Sequence, residues 1–356
     1  MAKPQVLKAE RGVALLQNVV SIGCLAGSLL LFASARCHGQ ADAVHGFFKQ
    51  NIGLSDAEVA QIDQGKAVAK VIDSPRPSQV FVFGAISIKA QPSSYVAMAR
   101  DLNKLRSLPG YLAIQQFSSP PVLSDLSEFK IDSDDVNDLK KCKPEDCEIQ
   151  LPSENIEAFR SKINWSAPDP GSQVNELARQ MALDSLVAYQ QGGNAALGIY
   201  RDKSAPSRVS DQFKALLART KVLPEELPSF YSYLLDYPKA TLPGSSSVFY
   251  WEKVKFGLKP TFRINQQITA HLQGQHSPVD VVAIKQLYAS HYFQTALDLY
   301  FCVPRSSSEF YLITVKGSEQ AGLTGLKGGT VRKVAVDKTR SSLAKSLEAI
   351  KAQLER

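Results

Sequence analysis

Three ionisable residues interrupt apolar rows in segments that alternate like β-strands. Glu252 lies in SVFYWEKVKF, and Lys285 and His291 lie in VVAIKQLYASHYF. Successive side chains of a strand point to opposite faces, so Glu252 shares a face with Tyr250 and Val254. A buried charge needs an ionic or hydrogen-bonding partner. We therefore hypothesise that the three residues converge in a concave site; the alternatives are rows that face solvent at a sheet edge, or a bulge that shifts the register.

Aromatic residues surround these three positions. Aromatic walls around a few polar groups are typical of an apolar ligand pocket, whereas ordinary core packing is the alternative interpretation. The predicted ligand-binding residues are Glu252, Lys285, His291, Trp251, Tyr288 and Tyr292.

The recognised catalytic and metal-binding motifs are absent from the sequence. There is no GxSxG elbow, no P-loop, no HExxH and no GxGxxG between a strand and a helix. The acidic stretch 127–141 does not follow the EF-hand order, which favours a solvated face or a helix cap. We therefore predict no catalytic residue, no metal site and no cofactor.

The strongest structural signal runs from 247 to 316. β-Branched and aromatic residues alternate there with polar ones between Gly, Pro and Ser clusters, which predicts consecutive antiparallel strands. A C-terminal stripe of Leu343, Leu347, Ile350 and Leu354 predicts a packing helix. Upstream, the pattern predicts a hairpin over 67–89, a helix over 92–108 and a strand over 111–117. The fold class is therefore α+β.

The N-terminus has the order of a secretory signal. A basic stretch that ends at Arg11 precedes the apolar run 19–35, and small residues follow. We expect cleavage after Ala35 or Ala41 and a periplasmic or secreted protein. The alternative is an uncleaved anchor, and membrane contact is then expected only through this segment.

The cysteine pair of CKPEDC suits an oxidising compartment. Cys142 and Cys147 are expected to close a small turn by a disulfide, and a metal site or a redox-active pair are the alternatives. Cys302 lies in a strand pattern and is expected to be a buried free thiol.

Composition is that of an ordinary globular chain, with 44% hydrophobic and 21% charged residues. The net charge of +7 is spread without a Lys/Arg run, so no nucleic-acid partner is expected. The chain divides into a signal region (1–41), an N-terminal α+β part (42–150), a helical block (151–240) and antiparallel strands with the C-terminal helix (241–356). We expect the second and fourth parts to form one fold.

The order of elements resembles the START-like, or helix-grip, superfamily of lipid-binding proteins. The similar features are the early strands and helix (67–108), the antiparallel strands (248–316) and the closing helix (339–356). The resemblance implies a curved sheet gripped by that helix, with an apolar ligand between them. It leaves the block 120–240 unaccounted for. The phrases KQLYASHYFQTALDLY and INWSAPD are also similar to exported bacterial proteins of unassigned function, which implies no activity.

The predicted function is the binding of an apolar or amphipathic small molecule, such as a lipid, between the sheet and the C-terminal helix. One alternative is an envelope enzyme that uses the same cavity, with Glu252 or His291 as acid or base. The other is a protein–protein interaction module whose contact surface is the helical block.

Overall fold

One antiparallel sheet of eight strands organises the fold. The computed structural model describes residues 42–106, 110–220, 222–255, 259–275, 277–323 and 328–356, so the predicted signal region lies outside the described residues. The sheet strands are β1 (Val68–Ile72), β2 (Gln79–Ile88), β3 (Tyr111–Gln116), β6 (Ser246–Lys255), β7 (Pro260–Gln273), β8 (Pro278–Ala289), β9 (Phe293–Pro304) and β10 (Phe310–Gln320). Their spatial order is β1-β2-β10-β9-β8-β7-β6-β3, so strands from both ends of the described chain join one sheet.

Helices precede, interrupt and follow these strands. They are α1 (42–50), α2 (Asp56–Asp63), α3 (Pro92–Arg100), α4 (Leu102–Arg106), α5 (Ser133–Lys141), α6 (Ser153–Lys162), α7 (Pro170–Gly192), α8 (Val209–Leu217), α9 (Val222–Glu226), α10 (Pro228–Asp236) and α11 (Gly328–Leu354). A two-residue pair, β4 (Ile199–Tyr200) and β5 (Ser207–Arg208), lies between α7 and α8.

The C-terminal helix covers one face of the sheet, which we call the α11 face. This face carries Gly84 of β2, and a Cβ atom there would lie 2.8 Å from Leu343 and 2.9 Å from Leu347. Glycine therefore permits the close approach of α11 to the sheet. Helix α3 packs on the same face, where the rings of Tyr95 and Tyr300 are 5.7 Å apart.

The helical block covers the opposite face, which we call the block face. Helices α8 to α10 bury Phe213 and Phe230 against Leu297 and Leu299 of β9. Helix α7 packs farther along the same face, over Trp251. Burial of these apolar side chains is the main source of stability for both layers.

The structure confirms the predicted α+β fold with a large antiparallel sheet and a packed C-terminal helix. One helix differs from its prediction, because the segment 92–108 is interrupted. Asp101 is extended (φ −88°, ψ 90°), and its Oδ1 accepts a hydrogen bond from the backbone N–H of Asn103 at 3.1 Å, which starts the short helix α4.

The N-terminus of helix α2 is formed by a local capping motif. Ser55 and Glu58 form a capping box, in which the Ser55 N–H donates to Glu58 Oε2 at 2.7 Å and the Glu58 N–H donates to Ser55 Oγ at 3.3 Å. Pairs of this kind depend only on near neighbours in the sequence, so the start of α2 was predictable.

Candidate functional site

A cavity of about 360 Å³ lies between the block face of the sheet and the helices α5 to α7. Strands β7 and β8 supply Phe262, Ile264, Leu287 and Tyr288 to its floor. Its volume is within the range of roughly 300–1,000 Å³ that is typical of small-molecule pockets. The sequence predicts a ligand cavity between the sheet and the C-terminal helix, but no described residue of α11 lines this cavity, because α11 packs its leucines against the other face of the sheet.

The walls of the cavity are mainly apolar. Besides the strand residues, the larger apolar and aromatic side chains of the lining are Phe129, Ile131, Leu139, Ile149, Leu151, Phe159, Met181, Leu186, Tyr189, Leu197 and Tyr200. Tyr200 and Tyr288 meet edge to face, with ring centroids 6.1 Å apart. An apolar interior of this kind favours an apolar ligand over a charged one.

Charged side chains line the parts of the cavity that solvent reaches. Lys253 Nζ donates to Asp132 Oδ1 at 2.6 Å and to the carbonyl of Lys130 at 2.9 Å. The exposed residues Glu154 and Asp184 also line the cavity. A molecule with an apolar body and one polar end matches this distribution.

An ionic cluster beside the cavity joins α5 to the turn after β8. Asp135, which lines the cavity, accepts from Lys259 Nζ at 3.0 Å, and its Oδ2 lies 3.0 Å from His291 Nε2. Burial alone would raise the pKa of Asp135, but the hydrogen bonds and charges of His291 and Lys259 outweigh it and lower that pKa. The second ring nitrogen of His291 lies 3.2 Å from the carbonyl oxygen of Glu148, so both ring nitrogens face hydrogen-bond acceptors.

Lys285 lies behind the cavity wall in an apolar environment. Its side chain is fully buried, and its Nζ donates to Tyr189 Oη at 2.9 Å and to Asn194 Oδ1. The Nζ also lies 4.1 Å from the centre of the Phe213 ring. No carboxylate forms an ion pair with Lys285 among the described residues, and burial lowers its pKa well below the ordinary value.

Glu252 lies on the other side of the sheet. Lys285 pairs with Gln266, which pairs with Phe249, so Lys285 and Phe249 share the block face. Glu252 is three residues from Phe249 and therefore points to the α11 face, where it forms an ion pair with Arg263 at 3.2 Å. Burial raises the pKa of Glu252, and Arg263 partly offsets that effect.

The hypothesis that Glu252, Lys285 and His291 converge is therefore wrong. Glu252 and Lys285 are on opposite faces, and His291 lies beyond the end of β8 at Ala289, where strand alternation no longer applies. A bulge also interrupts β8, since Tyr288 pairs with Ile264 while Gln286 pairs with Asn265.

The three predicted aromatic residues have different positions. Tyr288 lines the cavity, and its hydroxyl donates to the carbonyl of Gln150 at 3.0 Å. Trp251 is fully buried behind the cavity wall, and its ring centroid lies 6.0 Å from that of Phe262. The Trp251 Nε1 donates to the carbonyl of Asp125 at 2.8 Å. Tyr292 stands next to His291, and its hydroxyl accepts from the Lys259 N–H at 2.9 Å. A role for these residues in ligand binding stays a prediction.

The predicted disulfide between Cys142 and Cys147 is present. Both cysteines are buried in a cluster with Leu139, Ile149 and Phe159, which line the cavity. The bridge therefore supports one cavity wall. Cys302 is a buried free thiol, as predicted.

Sequence reasoning missed the helical walls and Asp135. The acidic stretch was expected to be a solvated face or a helix cap, whereas the Asp135 side chain is only 11% exposed. Asp135 lies four residues before the buried Leu139 and so on the same side of α5, a spacing that could have indicated its burial.

Membrane-spanning helices and metal-binding groups were sought among the described residues. None of their helices is both long and apolar enough to cross a membrane. Nor do they contain a group of three or more His, Cys, Asp or Glu side chains that could hold a metal ion.

Comparison with known proteins assigns no family. No family model and no curated protein matches the sequence. Among solved structures, the chain is similar to the ZhuI aromatase/cyclase from Streptomyces sp. R1128, with 13% identity and a TM-score of 0.25 over 35% of this chain and 79% of that chain.

Proposed function

We propose that this protein binds an apolar or amphipathic small molecule, such as a lipid, in the cavity between the block face and helices α5 to α7. The supporting observation is a cavity of about 360 Å³ whose interior is apolar and aromatic and whose solvent-reached edge is charged. An apolar body gains free energy by leaving water for such walls, and a polar end can stay at the edge.

Mass spectrometry of the purified protein tests this proposal. We expect the native mass to exceed the denatured mass by one bound molecule, and an organic extract to contain that molecule. A titration with the fluorescent apolar probe 1-anilinonaphthalene-8-sulfonate, displaced by dodecanoic acid, measures the same site without the natural ligand.

A matched pair of variants locates the binding in the cavity. Ala182 is buried on α7 and lines the cavity, so Ala182→Phe fills part of the space. Gln180 is exposed on the same helix and does not line the cavity, so Gln180→Phe is the control. Loss of probe and bound mass in the first variant alone supports the proposal, whereas equal binding in both, or no binding in the wild type, overturns it.

We further propose that the protein works outside the cytoplasm. The signal pattern over 1–41 supports export, and the Cys142–Cys147 disulfide fits an oxidising compartment, where such bonds persist. N-terminal sequencing of the protein from culture fractions tests this, with a new N-terminus after Ala35 or Ala41 as the expected result and an intact cytoplasmic chain as the contrary one.

A further inference from the structure

The apolar cavity opens to solvent between helix α6 and the second half of α7, and we call this opening the mouth. Six described residues of the cavity lining are exposed, and five of them form the mouth: Glu154, Asp184, Ser185, Ala188 and Ala196. Glu154 lies in the first turn of α6, and Ala196 lies in the turn 193–196 after α7. Because the serine and the alanines have small side chains, the two carboxylates dominate the chemistry of the mouth.

The helical period turns Asp184 towards α6. Met181 of α7 packs in the same apolar cluster as Phe159 of α6, so this side of α7 faces α6. Asp184 follows Met181 by three residues and therefore shares its side. Glu154 belongs to α6 itself, so neighbouring helices present the two carboxylates to one opening.

Neither carboxylate of the mouth is neutralised by a cation. Glu154 and Asp184 form no ion pair within the described part of the chain. The amide Nε2 of Gln180 donates to Asp184 Oδ1 at 2.8 Å, but an amide carries no charge. The mouth is therefore negative at neutral pH.

Three of the other charged lining residues already have ionic partners. Lys253 and Asp132 pair with each other at 2.6 Å. Asp135 contacts both Lys259 and His291 at 3.0 Å. These groups hold the walls together, so they leave the charge of the mouth unchanged.

Lys130 is the remaining charged residue of the lining, and it lies away from the mouth. The carbonyl of the preceding residue, Phe129, accepts from Arg179 of α7 at 2.9 Å. Arg179 precedes Asp184 by five residues, which is about 7.5 Å along a helix. Lys130 therefore borders the first half of α7, whereas the mouth borders the second half.

We infer that the cavity takes an amphipathic amine, whose apolar body lies against the walls and whose ammonium group lies at the mouth beside Glu154 and Asp184. This inference rests on the proposed function and adds the charge of the polar end of the ligand. An ammonium group has three donors and no acceptor, so it matches carboxylate oxygens, whereas a ligand carboxylate is repelled by them. Because the mouth is exposed, the ammonium group keeps part of its hydration and avoids most of the cost of burying a charge.

Displacement of the neutral fluorescent probe N-phenyl-1-naphthylamine from the full chain tests this inference. The competitors are dodecylamine, dodecanoic acid and dodecanol, which share a chain length and differ in charge. At neutral pH and low salt we expect dodecylamine to bind about fivefold or more tighter than dodecanoic acid, since each exposed ionic contact changes affinity a few-fold. Added salt should reduce this difference because it screens exposed charges.

A matched pair of double variants locates the preference at the mouth. Glu154→Gln/Asp184→Asn removes both charges at exposed positions, and we expect it to bind dodecylamine and dodecanoic acid equally. The control is Glu157→Gln/Glu176→Gln, at exposed positions of the same two helices that do not line the cavity. It changes the net charge by the same amount and should keep the preference for the amine.

Two results would overturn this inference and leave the proposed function in place. One is binding of dodecanoic acid to the wild type as tight as that of dodecylamine, a comparison that needs no variant. The other is a preference for the amine that persists in Glu154→Gln/Asp184→Asn. Absence of displacement by all three competitors, dodecanol included, would instead overturn the proposed function and this inference with it.

Discussion

His291 Nε2 lies 3.0 Å from Asp135 Oδ2, and this contact joins helix α5 to the turn between β8 and β9. The two residues are 156 positions apart in the sequence. The contact holds one cavity wall, which carries Asp135 and Leu139, against the sheet that forms the floor.

Replacement of Asp135 should remove stability that depends on its charge. We expect Asp135→Asn to lower the free energy of unfolding by roughly 2 kcal/mol at neutral pH, since it weakens hydrogen bonds from His291 and Lys259. The folded pKa of Asp135 is lowered, so its contribution is complete above the unfolded value of about 3.9 and is lost as the pH falls through the lower folded value. Urea unfolding curves between neutral and strongly acidic pH measure this difference.

The control for this experiment is Asp134→Asn. Asp134 is the exposed neighbour in the same first turn of α5, so its replacement has the same effect on helix charge without breaking the buried contact. A difference between wild type and Asp135→Asn that does not change with pH would contradict the assigned role of the charge.

Lys285→Met should stabilise the protein by about 1 kcal/mol at neutral pH, because a buried ionisable group with no ionic partner in the described structure is replaced by an apolar one of similar length. The folded pKa of Lys285 is lowered, so the unfolded chain binds more protons between that value and about 10.4. Wild-type stability should therefore rise with pH in this window.

Unfolding measurements on both proteins should show a smaller slope of unfolding free energy against pH for Lys285→Met. The control Lys255→Met, at an exposed position of β6, should keep the wild-type slope. Equal slopes in wild type and Lys285→Met would argue against a lowered pKa.

Loss of the disulfide should weaken the cavity wall. We expect the double variant Cys142→Ala/Cys147→Ala to lose about 2 kcal/mol of unfolding free energy, since the bridge closes only a short loop, and to bind the apolar probe less tightly. Dithiothreitol should have the same effect on the wild type and none on the double variant. Unchanged probe affinity in the double variant would show that the disulfide does not support the cavity wall.

Gly84 and Leu343 should behave as a coupled pair. Gly84→Ala places a Cβ atom 2.8 Å from Leu343, and we expect a cost of about 1–3 kcal/mol from overpacking. Leu343→Ala alone should cost about 2–5 kcal/mol. The double variant should cost less than the sum, because the shortened side chain removes one of the two close contacts of the new methyl group, while Leu347 remains 2.9 Å from it.

Gly46→Ala is the control for this cycle. Gly46 has no heavy atom within 4 Å of the added Cβ position, so its replacement in α1 should not destabilise the protein. Strict additivity at Gly84 and Leu343, measured by denaturant unfolding, would show that α11 does not lie against β2 in solution.

The sequence by itself determined the elements whose causes are local. Strand alternation over 247–316, the leucine stripe of α11, the capping box at Ser55 and the disulfide of CKPEDC each depend on residues that are close in the chain. Near neighbours suffice because the two-residue and 3.6-residue periods decide which side chains share a face within one element.

Only the tertiary structure decided which faces meet. The two-residue period relates Glu252 to Tyr250 within one strand, but it does not say whether Lys285 of another strand points to the same side. The pairing register and the β8 bulge settled that question and placed the two charges on opposite faces. The cavity likewise depends on how helices α5 to α7 pack on the sheet, and the partnership of Asp135 with His291 depends on contacts across 156 positions, which no local pattern encodes.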